Sequence, residues 1–157
     1  MTDYQILNAV LKRNPYTLPL IPDIMLSIKS FKWATCIDLN MGYYSMSLIE
    51  ASKQLCVTCL PWVLYQYNML PMGVKVATDV FQQAMSSLFN DLEGAIVYLD
   101  DIIILGAESF GEHVMIVSDV LRRLEYQGLQ VNRLKIFWGQ HQVEYLDFLI
   151  TRDRIKP

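Results

Sequence analysis

Three aspartates carry the clearest chemical potential in this sequence: Asp38, at the end of an apolar run, and the adjacent pair Asp100-Asp101. An aspartate pair in a tight turn has an ordinary explanation, because aspartate tolerates turn geometry and a hairpin tip is solvated. Two features argue for more. The flanks, Val97-Tyr98-Leu99 and Ile102-Ile103-Ile104, are too apolar for a surface hairpin, and asparagine-glycine would make the better two-residue turn. If Asp38 comes to the same place, three carboxylates repel. At about 4 Å each pair costs about 4 kcal/mol at an effective dielectric of about 20. Such a cluster either takes up a proton or binds cations. Hard oxygen ligands on a β platform suit Mg²⁺, and two such ions about 4 Å apart support in-line displacement at phosphorus. That chemistry needs Asp38 and the pair on different strands, because one local loop cannot bracket both ions.

Other residue sets carry less. Cys56 and Cys59 have C-x-x-C spacing, but zinc needs four ligands, and only Cys36, His113 and His141 remain to complete them. The segment reads as a strand, so structural cysteines are the plainer reading. Three cysteines make no disulfide framework. A net charge of −3 argues against a surface that grips nucleic acid everywhere. Local basic clusters at Lys12-Arg13, Arg122-Arg123, Arg133/Lys135 and Arg152/Arg154/Lys156 can still meet phosphates, though each alone fits a solvated face. The 157 residues are 53% hydrophobic and 18% charged, enough apolar material for one domain with a real core. No apolar run approaches the roughly 18 residues of a membrane span. The opening Met1-Thr2-Asp3-Tyr4 is polar and acidic, unlike a secretory leader.

The elements that must position the carboxylates follow from pattern. Prolines 15, 19 and 22 leave the first 20 residues irregular. Asp23 is placed to cap a short helix to about residue 30. Residues 31–37 read as a strand ending at Asp38. Residues 43–48, 55–58 and 63–67 read as short strands from β-branched and aromatic content. Ala77, Val80, Phe81, Ala84 and Leu88 form a helical stripe. Residues 95–99 and 102–105 form a hairpin turning at Asp100-Asp101. Ser109 and Glu112 have capping-box spacing, opening a helix striped by Val114, Val117, Val120, Leu121 and Leu124 and stopped by Gly128. Strands follow near 143–145 and 148–151. With 43–69 set aside as an insertion, the order is strand, helix, strand, strand, helix, strand. That is the ferredoxin-like split βαβ, an α+β fold with two helices on one face of an antiparallel sheet. It brings Asp38 beside the hairpin tip.

These residues also carry a family resemblance. Tyr98-Leu99-Asp100-Asp101 resembles the Y-x-D-D box of reverse transcriptases, and its surroundings resemble LTR retrotransposons of the Ty3/gypsy type. Thr2-Asp3-Tyr4-Gln5-Ile6-Leu7-Asn8 is similar to their T-D-Y-R-x-L-N opening, and Tyr16-Thr17-Leu18-Pro19-Leu20-Ile21 to Y-P-L-P-x-I. Ile37-Asp38-Leu39-Asn40-Met41-Gly42-Tyr43 resembles the i-D-L-x-x-G-Y box. Leu70-Pro71-Met72-Gly73 with Asp79-Val80-Phe81-Gln82 resembles the following helix entry. His113, Val120 to Leu124, Gly128-Leu129, Val131-Asn132, Lys135, Glu144-Tyr145-Leu146 and Ile150-Thr151-Arg152 fall in family order. The likeness runs from Thr2 to Pro157, and the ordered set is far more specific than Y-x-D-D alone.

The resemblance implies a polymerase-like fold in which residues 33–43 and 71–157 form the palm, and 1–32 with about 44–70 the fingers segments. It implies RNA-directed DNA polymerase activity with two Mg²⁺ ions, Mn²⁺ being a substitute. Asp38, Asp100 and Asp101 would be the metal-binding triad, with the Leu39 carbonyl as a further ligand. Met41 and Gly42 amides would meet the triphosphate. Tyr43, five residues after the first aspartate, would exclude a ribose 2′-hydroxyl; read without the family, it is a core aromatic. Met72 would face the nucleotide, Lys135 would protonate pyrophosphate, and Leu146, Asp147 and Phe148 would be the primer grip. His113 reads as a surface residue in the second helix's first turn. The implied partners are an RNA or DNA template with primer, deoxynucleoside triphosphates and the rest of a polyprotein (thumb, RNase H, integrase), with no membrane. Cytoplasm and nucleus stay open as locations.

The departures from the family pattern are specific. Gln5 replaces an arginine, and Val76 and Thr78 replace the asparagine and proline of the helix entry. Val63, Asp147 and Arg154 stand where the family has glycine, which favours strain wherever φ is positive. Asp147 also puts negative charge where a primer phosphate would pass. The chain is expected to begin after a basic fingers strand and to stop before the thumb, connection and RNase H. Two alternatives follow: a catalytically inactive retroelement remnant, and a non-catalytic nucleic-acid-binding module of the RNA-recognition type. The latter stacks bases on aromatics of two central strands; here those strands offer carboxylates and Tyr98 alone.

Overall fold

The computed structural model describes residues 2–106, 109–152 and 154–156. In chain order the elements are α1 (Gln5–Val10), α2 (Ile21–Ser27), β1 (Trp33–Asp38), a 3₁₀ turn (Gly42–Ser45), α3 (Glu50–Lys53), β2 (Val57–Leu60) and β3 (Val63–Gln66). Then come α4 (Ala77–Phe89), β4 (Ala95–Tyr98), β5 (Asp101–Gly106), α5 (Phe110–Tyr126), a second 3₁₀ turn (Arg133–Lys135), β6 (Phe137–Gln140), β7 (Gln142–Tyr145), β8 (Phe148–Thr151) and β9 (Ile155–Lys156). No helix among the described residues is long and apolar enough to cross a membrane.

The central sheet has the order β4-β5-β1-β6, with every pairing antiparallel. This is the strand order of the split βαβ expected from the pattern. Successive side chains on a strand point to opposite faces. Ile37, Ile102 and Ile104 therefore face the helices, where they bury against Phe81, Met85 and Phe89 of α4 and Val117, Val120 and Leu124 of α5. Each such side chain contributes about 1.5–3 kcal/mol of transfer free energy. Ala34, Cys36 and Ile103 face the other way, into a second cluster with Ile24 and Met25 of α2 and with Val143, Tyr145 and Ile150. A third, smaller cluster joins Tyr4, Cys56, Leu70, Val74 and Ala77. It takes in Leu7 of α1 and Tyr67, and with Cys56 it flanks the β2–β3 ribbon, which forms a separate two-stranded sheet.

Several sequence expectations are corrected. The first 20 residues contain α1, started by the Asp3 carboxylate accepting the Gln5 N–H (2.9 Å). α2 begins before Asp23, which lies in its first turn behind Pro22 rather than capping it, and ends at Ser27. Residues 43–48 are not a strand: the 3₁₀ turn takes their place, leaving a single bridge between Ser47 and Met69. The fourth strand of the main sheet is β6, whereas the expected strands near 143–151 build a separate sheet, β7-β8-β9. The α4 stripe is rotated: Val80 is 43% exposed, and the buried face carries two polar residues, Asp79 and Gln82. His113, expected at the surface, is 1% exposed. Its Nε2 is hydrogen-bonded to Thr35 Oγ1 (2.7 Å), tying α5 to β1. The capping box at Ser109 forms, with its hydroxyl accepting the Glu112 N–H (3.2 Å), and Gly128 (φ +71°) follows the end of α5.

Asp79 sits in the first turn of α4, nearly inaccessible, and its carboxylate is held by Arg13 through Nε (2.6 Å) and a second guanidinium nitrogen (2.9 Å). The Tyr16 N–H also donates to it (3.3 Å). This pair fastens the segment between α1 and α2 to the main body.

Candidate active site

The hairpin between β4 and β5 turns one residue earlier than expected. Tyr98 pairs with Asp101, so Leu99 and Asp100 form the two-residue turn and Asp101 is the first residue of β5. Asp101 is in turn the cross-strand partner of Asp38, the last residue of β1. Partners in register share a face and lie about 4.5–5.5 Å apart at Cα. Asp38 and Asp101 therefore stand together on the face away from α4 and α5. Asp100 is joined to the end of β1 through its backbone: its carbonyl accepts the Leu39 N–H (2.9 Å).

The environment penalises these charges. Burial, then the charges of Asp101 and Asp38, push the Asp100 carboxyl up to about 6, while Lys135 opposes the shift. Asp101 is raised by burial, then by Asp38, with a smaller push from Asp147. One Asp100 oxygen, Oδ1, is buried without a hydrogen-bond partner. It points at Gly42, where a Cβ would collide with it and would stand 2.6 Å from the Phe81 ring. Glycine at 42 thus makes room for the Asp100 carboxylate.

A cleft of about 160 Å³ opens beside the pair, lined by Asp38, Asp101, Lys135, Glu144, Tyr145 and Leu146 among others. The Lys135 ammonium reaches the Asp38 carboxylate (Nζ–Oδ2 3.0 Å). Asn132 sets that lysine: its N–H donates to the Asp38 carbonyl (2.8 Å), its side chain caps the second 3₁₀ turn, and its carbonyl accepts the Lys135 N–H (3.0 Å). The Tyr145 hydroxyl, buried and raised in pKa chiefly by desolvation, donates to the Asp101 carbonyl (3.4 Å).

The remaining predicted residues are spread around this centre. Leu39 is buried in the helix-side core, and no described donor reaches its carbonyl. Met41 is left-handed (φ 53°) and opens the first 3₁₀ turn, in which the leading N–H groups have no internal partner. Tyr43 stacks on Phe81 (4.8 Å, 30°) and touches two of the three clusters, so it is a packed aromatic at their junction. Met72 is 39% exposed, between Leu70 and Val74 of the third cluster. Leu146 lines the cleft, and Leu146-Asp147 form the β7–β8 turn with both φ angles positive (52° and 66°). Phe148 packs against the second cluster. Cys56 is buried while Cys59 is exposed, and both are free thiols.

The donor set is one of hard carboxylate oxygens, with an orphaned buried oxygen and mutual repulsion that a divalent cation would relieve. The residues fit such an ion in chemistry. They are not gathered as a ligand set: among the described residues no group of three or more His, Cys, Asp or Glu is placed to hold one metal. Asp100 turns one oxygen toward Gly42, and Lys135 neutralises Asp38. That spreading is what unscreened like charges favour. Sequence reasoning did not single out Tyr145 or Glu144 as lining this cleft. The signal for Tyr145 was its place two residues after Val143 on an alternating strand, facing the sheet.

Comparison with known proteins adds the family. Residues 1–150 match the family model described as reverse transcriptase (RNA-dependent DNA polymerase). The chain is 31% identical over 153 residues to the enzymatic polyprotein of Cestrum yellow leaf curling virus, covering 96% of this chain and 24% of that one. It is 30% identical over 156 residues to the retrovirus-related Pol polyprotein from transposon gypsy of Drosophila melanogaster, covering 98% and 15%. Among solved structures, the foamy viral protease-reverse transcriptase in complex with an RNA/DNA hybrid matches with a TM-score of 0.91 at 23% identity, covering 98% of this chain and 21% of that chain. The native prototype foamy virus protease-reverse transcriptase matches at 0.82 and 25% identity, covering 95% and 20%. The chain thus spans about a quarter or less of the length of these relatives.

Proposed function

The chain belongs to the reverse transcriptase (RNA-dependent DNA polymerase) family, and from that premise we propose that it is the part of a retroelement polyprotein that adds deoxynucleotides to a primer on an RNA or DNA template. The carrying observation is the register of the central strands, which sets Asp38 opposite Asp101 and puts Asp100 in the turn beside them.

Asp38, Asp100 and Asp101, with the Leu39 carbonyl, would hold two Mg²⁺ ions, or Mn²⁺ in their place. Bound there, the ions would acidify the primer 3′-hydroxyl and offset charge on the departing pyrophosphate. In the reaction the primer 3′-oxygen bonds to the α-phosphorus, and the bond from that phosphorus to the β-phosphate bridging oxygen breaks. Lys135, whose N–H donates to the Asn132 carbonyl and whose ammonium meets Asp38, would protonate the leaving pyrophosphate. The Met41 and Gly42 N–H groups would bind the triphosphate, with Met72 toward the nucleotide. Tyr43, stiffened by Phe81, would close the space that a ribose 2′-hydroxyl needs. The turn at Leu146-Asp147, with Phe148, would lie along the primer. Residues 33–43 and 71–157 would serve as palm, and 1–32 with about 44–70 as fingers segments. Thumb, RNase H and integrase of the parent polyprotein would be partners.

The test is extension of a labelled primer with the purified chain across a Mg²⁺ and Mn²⁺ titration, beside the Asp38→Ala variant. Metal-dependent extension lost in the variant is expected; extension that survives the substitution overturns the assignment.

A further inference from the structure

We propose that Gln82 is a positioning residue of this site: its buried amide holds the β4–β5 turn in the left-handed shape that aims Asp100, and thereby sets the affinity of the carboxylates for a divalent cation. The proposal rests on the reading of Asp38, Asp100 and Asp101 as metal ligands.

Gln82 lies on the buried face of α4 and is 1% exposed. Its Oε1 accepts the Leu99 N–H (2.7 Å), and its Nε2 donates to the Val97 carbonyl (3.1 Å) and to Ser86 Oγ (3.1 Å). One side-chain amide therefore brackets Tyr98 and grips both backbone groups around it. Among the described residues β4 is an edge strand, so these groups have no neighbouring strand there to bond. A carboxamide presents a donor and an acceptor side by side, as a further strand would.

The grip falls where the backbone needs it. Leu99 has φ 52°, a region that L-residues with a Cβ avoid. Nothing in a leucine favours that shape; the hydrogen bond from its N–H to Gln82 does. Asp100 follows directly, with its carbonyl bonded to Leu39 and Oδ1 beside Gly42 and Phe81. Phe81 and Gln82 are consecutive, so one turn of α4 supplies both the wall beside Asp100 and the clamp behind it.

The measurement is Mn²⁺ affinity of the folded chain by electron paramagnetic resonance titration, with folding followed by circular dichroism. Gln82→Met, nearly the same size without the polar groups, is expected to weaken Mn²⁺ binding about tenfold or more. Adding Leu99→Gly should restore most of it, because glycine adopts the left-handed turn unaided; lost packing would not be rescued this way. Gln82→Asn, one methylene too short to span to Leu99, is the second variant should Gln82→Met not fold, and the same loss is expected. Undiminished affinity in a folded Gln82 variant, or no rescue by Leu99→Gly, overturns the role of Gln82 alone. A wild-type chain that binds no Mn²⁺ overturns both this role and the ligand assignment.

Discussion

The two ends of the β1–β5 ladder are built on opposite terms. At the Trp33–Gly106 end, tight places are given to glycine. A Cβ at Gly106 would stand 2.7 Å from the His113 side chain, and Gly94 (φ +91°) and Gly139 (φ +50°) take the left-handed positions. Thr35 bonds His113 Nε2 and accepts the Gly139 N–H (3.0 Å), while His113 Nδ1 is buried without a partner. At the Asp38–Asp101 end the left-handed residues are Met41, Leu99, Leu146 and Asp147, each with a side chain. Such conformations cost on the order of 1 kcal/mol apiece. The carboxylates there repel, and one Asp100 oxygen has no partner. Each end thus buries one unpartnered polar atom, but only the Asp38–Asp101 end joins non-glycine left-handed residues to converging charges, and strain gathered around converging acids points to function at that end.

The largest expected break in this contrast is Asp100→Asn. Loss of a proposed metal ligand should lower primer extension by at least about 10³-fold. The same substitution should raise metal-free stability at neutral pH, because it removes a charge the fold disfavours. Extension assays and urea melts on one preparation check both signs. At the opposite end, His113→Ala should cost about 2–4 kcal/mol of stability and leave Mn²⁺ affinity of the folded chain unchanged; a change in affinity would merge the two ends. Gly42→Ala drives a methyl group into Asp100 and Phe81, so about 1–3 kcal/mol should be lost, with weakened Mn²⁺ binding to show that the carboxylate moved.

Acidity sharpens the contrast further. The folded-state pKa of Asp100, about 6, lies above its ordinary 3.8, and Asp101 shifts the same way. The stability that goes with a raised carboxyl pKa is fully present below the unfolded value and is lost as pH rises through the folded one. Buried His113, whose pKa is lowered by desolvation, opposes this in the same window, so the Asp100 share is read by difference: the metal-free stability gained in Asp100→Asn should be larger near pH 7.5 than near pH 5, by on the order of 1–2 kcal/mol after allowing for solvent around the site. Divalent cation should remove most of the difference. A gain from Asp100→Asn that does not change with pH would mean that Asp100 is neither desolvated nor repelled in the fold. The smallest effect is expected from Asp147→Gly: primer affinity should rise by about 0.5–1 kcal/mol, more at low salt, as one negative charge leaves the turn.

Legibility from sequence followed the same division. The apolar flanks of the aspartate pair and the helical stripes showed three strands of the sheet, its two helices and the meeting of Asp38 with the aspartate pair. What escaped was placed by tertiary contacts. A glutamine and an aspartate on an apolar helix face read as imperfections of the stripe, yet Gln82 and Asp79 each answer a specific backbone or charged partner. The turn slipped by one residue because leucine is a poor candidate for a left-handed position. Residues 43–48 have strand-like composition, but Gly42 packs under Asp100 and Phe81 and the backbone coils there instead. β6 was missed because it is mostly exposed and lacks alternation.

The Arg13–Asp79 pair has a consequence for dissecting the chain. Asp79 belongs to the helix that backs the central sheet, while its counter-charge comes from the segment between α1 and α2, ahead of that sheet in the chain. The early residues are therefore not a detachable overhang, even though the sheet's own boundary starts at Trp33. A shortened version cut between Arg13 and β1 would strand a lone anion in the wall of the helix layer. Anyone paring the molecule to a minimal autonomous unit must keep Arg13 or neutralise its partner with Asp79→Asn in the same step.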